Sequence, residues 1–379
     1  MARGAPSLTS FWGSPVGNPD ARPTQAWVEP PVNQRRELFA SHIGFFLDHK
    51  RTFQSMMLPL LPGDPSRPSP ALTCIIYLWA LREKRTSQSS WFTTSYYQEY
   101  TLKKEALKRL CSDVARTHPR NIMHTIQAEV LLSQYFLVEG KHLQSSHHAS
   151  LALSLSLAAG LHHIPTSISK PAYNSNIPPP QDVFEEGERI DAFWAVYAAN
   201  VYSSAIQRSP SMLQHHIVDT PWPIDALEHE QSLLPLQSHG TISDFFNGNS
   251  TTGFSNHALY KKAIVLLDQA MVAHSEEQNS ELPLSISAVH LSSLLDTLQS
   301  TLPPTDHTDP AQRRLIATTY LLVHATRIIL SRQLERQDER WKSRDPAAIN
   351  GNAILNVESL DAYPIVDYVI RRVYANINL

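Results

Sequence analysis

The sequence predicts an all-α fold, and three observations carry that expectation. Apolar residues recur at helical spacing in one segment after another, the segments open and close on helix-start and helix-stop residues, and no run alternates convincingly at the strand period. The chain has 379 residues, enough to bury a large core. Its low charge content and net charge of −3 suit a globular chain and give no basic field for nucleic acid.

Residues 1–33 are rich in Pro, Gly, Ser and Asn without periodicity and read as a flexible lead-in. From there to 341 the texture is helical, and 342–379 form a C-terminal extension with a helical-looking end at YPIVDYVIRRVYANI. In RELFASHIGFFLDHKRTFQSMM, a helix would put Leu38, Phe39, His42, Phe45 and Phe46 on one face. PSPALTCIIYLWALR starts on Ser69-Pro70, a cap and a first-turn proline, and is apolar nearly all round, which predicts a buried helix. KKEALKRL, residues 103–110, reads as a solvated helix face. NIMHTIQAEVLLSQYFLVEG repeats Ile122, Ile126 and Val130 at steps of four and closes on Gly140.

LALSLSLAAGLHHI is ambiguous, because Leu151, Leu153, Leu155 and Leu157 alternate as in a strand. Its Leu and Ala content, and Gly160 followed by apolar Leu161, favour a helix with a glycine cap. A polar, proline-rich loop spans 165–184. Ile190, Phe193, Trp194, Tyr197, Val201 and Ala205 then fall on one helical stripe, with Glu185, Glu186 and Glu188 near the positive end of the dipole. Further helices fit 258–273, 285–300 and 310–341, the last opened by Asp309-Pro310, with polar loops at 238–256 and 301–309.

Reactive groups are sparse. Cys74 and Cys111 are the only cysteines, too few for a disulfide framework or a thiolate zinc site. No phosphate-binding glycine loop, nucleophile elbow or HExxH pattern occurs. The acidic pairs Glu185-Glu186 and Glu276-Glu277 look like helix ends or loops, not an acid–base pair. Histidine is frequent, with doublets at 147/148, 162/163 and 215/216. Adjacent helical residues point about 100° apart, so a doublet cannot chelate one ion from one face. Trp79, Trp194 and Trp222 read as core packing with a bonded polar tip. Arg189 and Arg208 read as ion-pairing groups with Asp191, Asp219 or a loop carboxylate as partner. No apolar run approaches the roughly 20 residues that span a bilayer, and the stretch MARGAPSLTSFWGSPVGNP lacks the apolar core expected of a signal peptide.

Two segments taken in order resemble the middle homology, or regulatory, region of fungal binuclear zinc-cluster transcription factors. The first is LLSQYFLVEGKHLQSSHHASLALSLSLAAGLHHI, with Gly140, Lys141 in the basic position, and Gly160-Leu161-His162. The second is GERIDAFWAVYAANVYSSAIQRSPSML, where Arg189 follows Glu188, Phe193-Trp194 supply an aromatic pair, Tyr197 the tyrosine and Pro210 the closing proline. DTPWP, residues 219–223, resembles the acidic-proline segment that follows in the family. Asn200-Val201 departs from the family's Asp-Arg, and Arg208-Ser209 from its Gly-Arg.

The resemblance implies a nuclear regulatory domain that is not an enzyme. It would act on transcription by RNA polymerase II through co-regulators, other family members, a second copy of itself or a small-molecule effector. The named motif residues would be structural determinants, not catalytic or metal-binding groups. The family's DNA-binding module needs six cysteines around two zinc ions. The sequence therefore predicts no cofactor and no nucleic-acid contact from this chain, which would be either a truncated regulatory half or a stand-alone module. An α-helical enzyme or small-molecule-binding protein is the alternative.

Overall fold

In the computed structural model, residues 44–58, 64, 67–87, 92–114, 119–164, 177–207, 211, 213, 217–223, 240–248, 253–279, 287–306 and 309–344 are described. Among them are ten helices and no strand. In chain order they are α1 (His49–Met57), α2 (Pro70–Ser87), α3 (Phe92–Val114), α4 (Pro119–Val138) and α5 (His142–Ala158). Then follow α6 (Val183–Gln207), α7 (Ile242–Phe246), α8 (Asn256–Asn279), α9 (Ala288–Thr301) and α10 (Pro310–Arg344). The all-α expectation holds, and the Leu-rich ambiguous stretch is helix α5. The expected terminal helix in 363–377 lies outside the described residues.

Helix α6 is the spine. It packs on α4 and α5 on one side and on α8 on the other, while α2–α3–α4 and α8–α9–α10 form helix groups at either hand. Sequence spacing predicts an apolar stripe, yet every residue from Ala192 to Ala205 is buried. Small side chains explain the difference. Ala192, Ala195, Ala198, Ala199 and Ala205 let neighbouring helices approach closely. Asn200 donates from Nδ2 to the carbonyls of Ala149 in α5 and Val196 in α6, both at 3.0 Å, so its amide is satisfied inside the core.

The expected helix through residues 36–57 is interrupted at 44–48 and runs from His49 to Met57, while 36–43 lie outside the described residues. Gly44 sits at φ 77°, outside the right-handed helical region, and a Cβ there would lie 3.0 Å from Val130 Cγ1. The backbone that follows is held by side chains instead of by a helix. Gln127 Oε1 accepts from Phe46 N at 2.7 Å and Leu47 N at 3.3 Å, and its Nε2 donates to Gly44 O at 3.0 Å. Glu188 Oε1 accepts from Asp48 N at 2.7 Å. The short helix α7, with Thr241 and Asp244 in a reciprocal capping box, lies where the sequence predicts only loop.

Candidate functional site

The first motif folds into two glycine turns of one kind. Gly140 (φ 71°) ends α4, with Lys141 N bonded to Phe136 O at 2.8 Å and Gly140 N to Leu137 O at 3.0 Å. Gly160 (φ 75°) ends α5 in the same way, with Leu161 N on Ser156 O and Gly160 N on Leu157 O, both at 3.0 Å. These are Schellman caps, which need the left-handed conformation that glycine adopts without a Cβ penalty.

Beyond Gly160 the chain is strapped down. Leu161 is 2% exposed. Its carbonyl accepts from Thr220 Oγ1 at 2.6 Å, and the His162 carbonyl accepts from Asp219 N at 2.8 Å. The His162 ring lies half-buried beside His163, with ring centroids 4.3 Å apart. Burial first, and the His163 charge second, hold its pKa below the usual histidine value.

Residues 219–223 continue as a strap across the α6 aromatic face. Trp194 Nε1 donates to Pro221 O at 2.7 Å, and Trp222 stacks on Trp194 at 4.6 Å between centroids and 21° between planes. Phe245 of α7 meets Trp222 edge-on at 5.9 Å. Trp222 N donates to Gly240 O at 3.1 Å, and Ser255 Oγ donates to Pro223 O at 2.9 Å. A Cβ at Gly253 (φ 72°) would come within 2.9 Å of the Trp222 ring, so this close approach requires glycine. Lys262 of α8 places Nζ 5.6, 5.4 and 5.4 Å from the ring centres of Trp222, Phe245 and Phe254. Burial pushes that ammonium down to about 8.

The second motif faces the other way as well. Phe193, Trp194 and Tyr197 are wholly buried, and Tyr197 Oη donates to Asp268 Oδ2 on α8 at 2.7 Å. Asp268 is 0% exposed, and burial pushes its carboxyl up to about 7. A second phenol pair, Tyr202 and Tyr260, joins α6 to α8 at 2.6 Å. Arg189 pairs with Glu185 one turn earlier at 2.8 Å, not with Asp191 or Asp219. Both Arg208 and Pro210 lie outside the described residues, as do His215 and His216.

The structure thus brings Gly160, Leu161, His162, Phe193, Trp194 and Tyr197 together around the strap, and leaves Gly140 and Arg189 at separate places. Sequence reasoning missed Asp268 and Lys262. The signal for Asp268 was a single carboxylate inside AIVLLDQAMV; for Lys262 nothing marked a buried ammonium. Within the described residues no group of three or more His, Cys, Asp or Glu could hold a metal ion. No described helix is long and apolar enough to cross a membrane. What the arrangement offers is a packed, hydrogen-bonded junction between α5, α6, α7 and α8.

The family model for the fungal specific transcription factor domain matches residues 63–342. The chain belongs to this family. No curated protein and no solved structure matches it. The matched span of this fungal specific transcription factor domain takes in both glycine turns, the strap and helices α2–α9, while the Gln127-held segment and α1 precede it. The family is one of transcription-factor regulatory regions and is not a known enzyme family. Asn200, which stands where the resemblance implies an aspartate, serves here as an amide donor to α5, a bond that a carboxylate could not make.

Proposed function

We propose that this chain is a nuclear regulatory module that controls transcription by RNA polymerase II through its contacts, without touching DNA itself. The observation that carries the reading is the family match over residues 63–342, which includes the strap and its clamp. Co-regulators, family members or a second copy would meet its helical surface, and a small effector could act on the same equilibrium. The strap at 219–223 gives the reading a mechanism, since it is bonded to the α5 turn, to α6 and to the segment before α8. A ligand or partner that binds one arrangement of this junction better than another shifts the balance between active and inactive forms by that difference in affinity. No cofactor is required for this role.

The test fuses the full chain to a foreign DNA-binding domain and reads a reporter across growth conditions. Output that changes with condition supports regulation. Constant output under every condition, with the fusion present in the nucleus at steady level, removes the reading. A fluorescent fusion found only outside the nucleus in all conditions also counts against it.

A further inference from the structure

A second place in the fold has a different chemistry. Where α4 turns into α5, Arg82 of α2 and Lys103 of α3 lie over the ring of Tyr135, and Lys141 of the Gly140 turn stands beside Glu139. The Arg82 guanidinium carbon lies 5.5 Å from the centre of the Tyr135 ring, and Lys103 Nζ lies 6.0 Å from it. Tyr135 donates to Glu99 at 2.5 Å. Glu139 pairs with Arg82, and its other oxygen is 3.9 Å from Lys141 Nζ. Among the described residues, Arg82, Lys103 and Lys141 thus stand near two carboxylates, Glu99 and Glu139.

Three features of this corner are unfavourable when it stands alone. After burial, the Lys141 charge is the largest influence lowering Lys103, and the Glu139 and Glu99 carboxylates act against it. Like charges brought together from two elements oppose folding unless an anion lies between them. Arg82 is 6% exposed, and its Nε is buried with no hydrogen-bond acceptor. Helix α5, of 17 residues, starts at His142 after Lys141 as its N-cap, which makes no side-chain cap bond, and carries no acidic residue in its first turn. Its first N–H groups and the positive end of its dipole therefore lack the usual counter-charge. With the Lys141 side chain 41% exposed, the corner opens to solvent.

We propose that this corner, between α3 and the start of α5, binds a small doubly charged oxyanion, a phosphomonoester or a dicarboxylate, on Lys103, Lys141 and the α5 N-terminus. A tetrahedral phosphate has enough acceptor oxygens to reach both ammonium groups and a backbone N–H together. The site stands apart from the strap, and its occupancy is independent of the transcriptional reading.

The test follows thermal unfolding of the full chain with inorganic phosphate, and separately succinate, titrated against sodium chloride at constant ionic strength. A saturable rise in the unfolding midpoint is expected with at least one of them. Lys103→Gln and Lys141→Gln should each weaken the response about tenfold, the loss of one charge-assisted hydrogen bond. Lys104→Gln, at an exposed neighbour on α3, should leave it unchanged. Lys141→Arg keeps the charge and should keep binding, which separates loss of the site from loss of folding. A response to phosphate alone assigns a phosphomonoester, and one to succinate a dicarboxylate. No saturable response to either probe, or an equal response in the Lys103→Gln/Lys141→Gln double variant, overturns the proposal.

Discussion

The Gly140 and Gly160 turns have the same backbone and opposite surroundings. Both are Schellman caps, with φ of 71° and 75° and matching pairs of hydrogen bonds. At the first, the residue after glycine is Lys141, and a Cβ at Gly140 would meet nothing within 4 Å. At the second it is Leu161, buried in the core, and the next carbonyls are taken by Asp219 and Thr220. Glycine sets where each helix stops. The residue that follows decides whether the turn becomes a surface corner or an anchor for a distant segment. An apolar residue draws the chain inward and presents two carbonyls to the strap, whereas a lysine leaves it in water.

Breaking the strap should show this most strongly. Trp222→Ala removes a wholly buried indole stacked on Trp194 and edged by Phe245, and should destabilise the protein by about 3–5 kcal/mol. Urea unfolding of the purified chain measures it, and a loss under about 1 kcal/mol would mean the strap is not part of the core. Thr220→Val keeps the shape and removes the bond to Leu161 O. It leaves a buried carbonyl unsatisfied and should cost about 1–3 kcal/mol by the same measurement.

Gly→Ala changes then compare the turns directly. Gly140→Ala adds a methyl in open space at positive φ, so only backbone strain counts, about 1–2 kcal/mol. Gly160→Ala carries the same strain, but at a turn whose next two carbonyls hold the strap. Unfolding of Gly160→Ala should therefore be the more costly of the two, and in the Thr220→Val background its excess over Gly140→Ala should shrink. Equal losses in both backgrounds would show that the turns are energetically alike.

How much of this was legible from sequence follows from range. Both caps were visible because a Schellman turn is local, fixed by one glycine after a helical run. Ser69-Pro70 and Asp309-Pro310 gave their helix starts for the same reason. The aromatic pair and Tyr197 were visible as a buried stripe, but the partners of those side chains were not. Asp268 lies 71 residues beyond Tyr197, and Gln127 lies 81 residues beyond the backbone of Phe46 that it captures. A helix through Gly44 was the reasonable reading of apolar spacing there. It fails because a glutamine from another helix offers that backbone the bonds a helix would have given. Arg189 shows the reverse. Asp191, Asp219 or a loop carboxylate was the expected partner, and Glu185, one helical turn earlier, takes it.

The smallest expected effect is also the most selective, because it touches only the strapped turn. His162 has its pKa lowered, chiefly by burial, and its Nδ1 is buried without a hydrogen-bond partner. The unfolded chain therefore takes up a proton at higher pH than the folded one does. Proton uptake favours the unfolded form as pH falls through the ordinary histidine value of about 6.5. The stability that neutral His162 allows is fully present above that value and is lost progressively below it. His162→Gln cannot titrate, so the stability difference between the native chain and this variant should shift against the native chain as pH drops from about 7.5 to about 5.5. Comparing the two proteins cancels the other groups that titrate in this window. A difference that stays flat would mean the ring is hydrated in the folded state, and the strap would then hold the backbone of this turn without closing over its side chain.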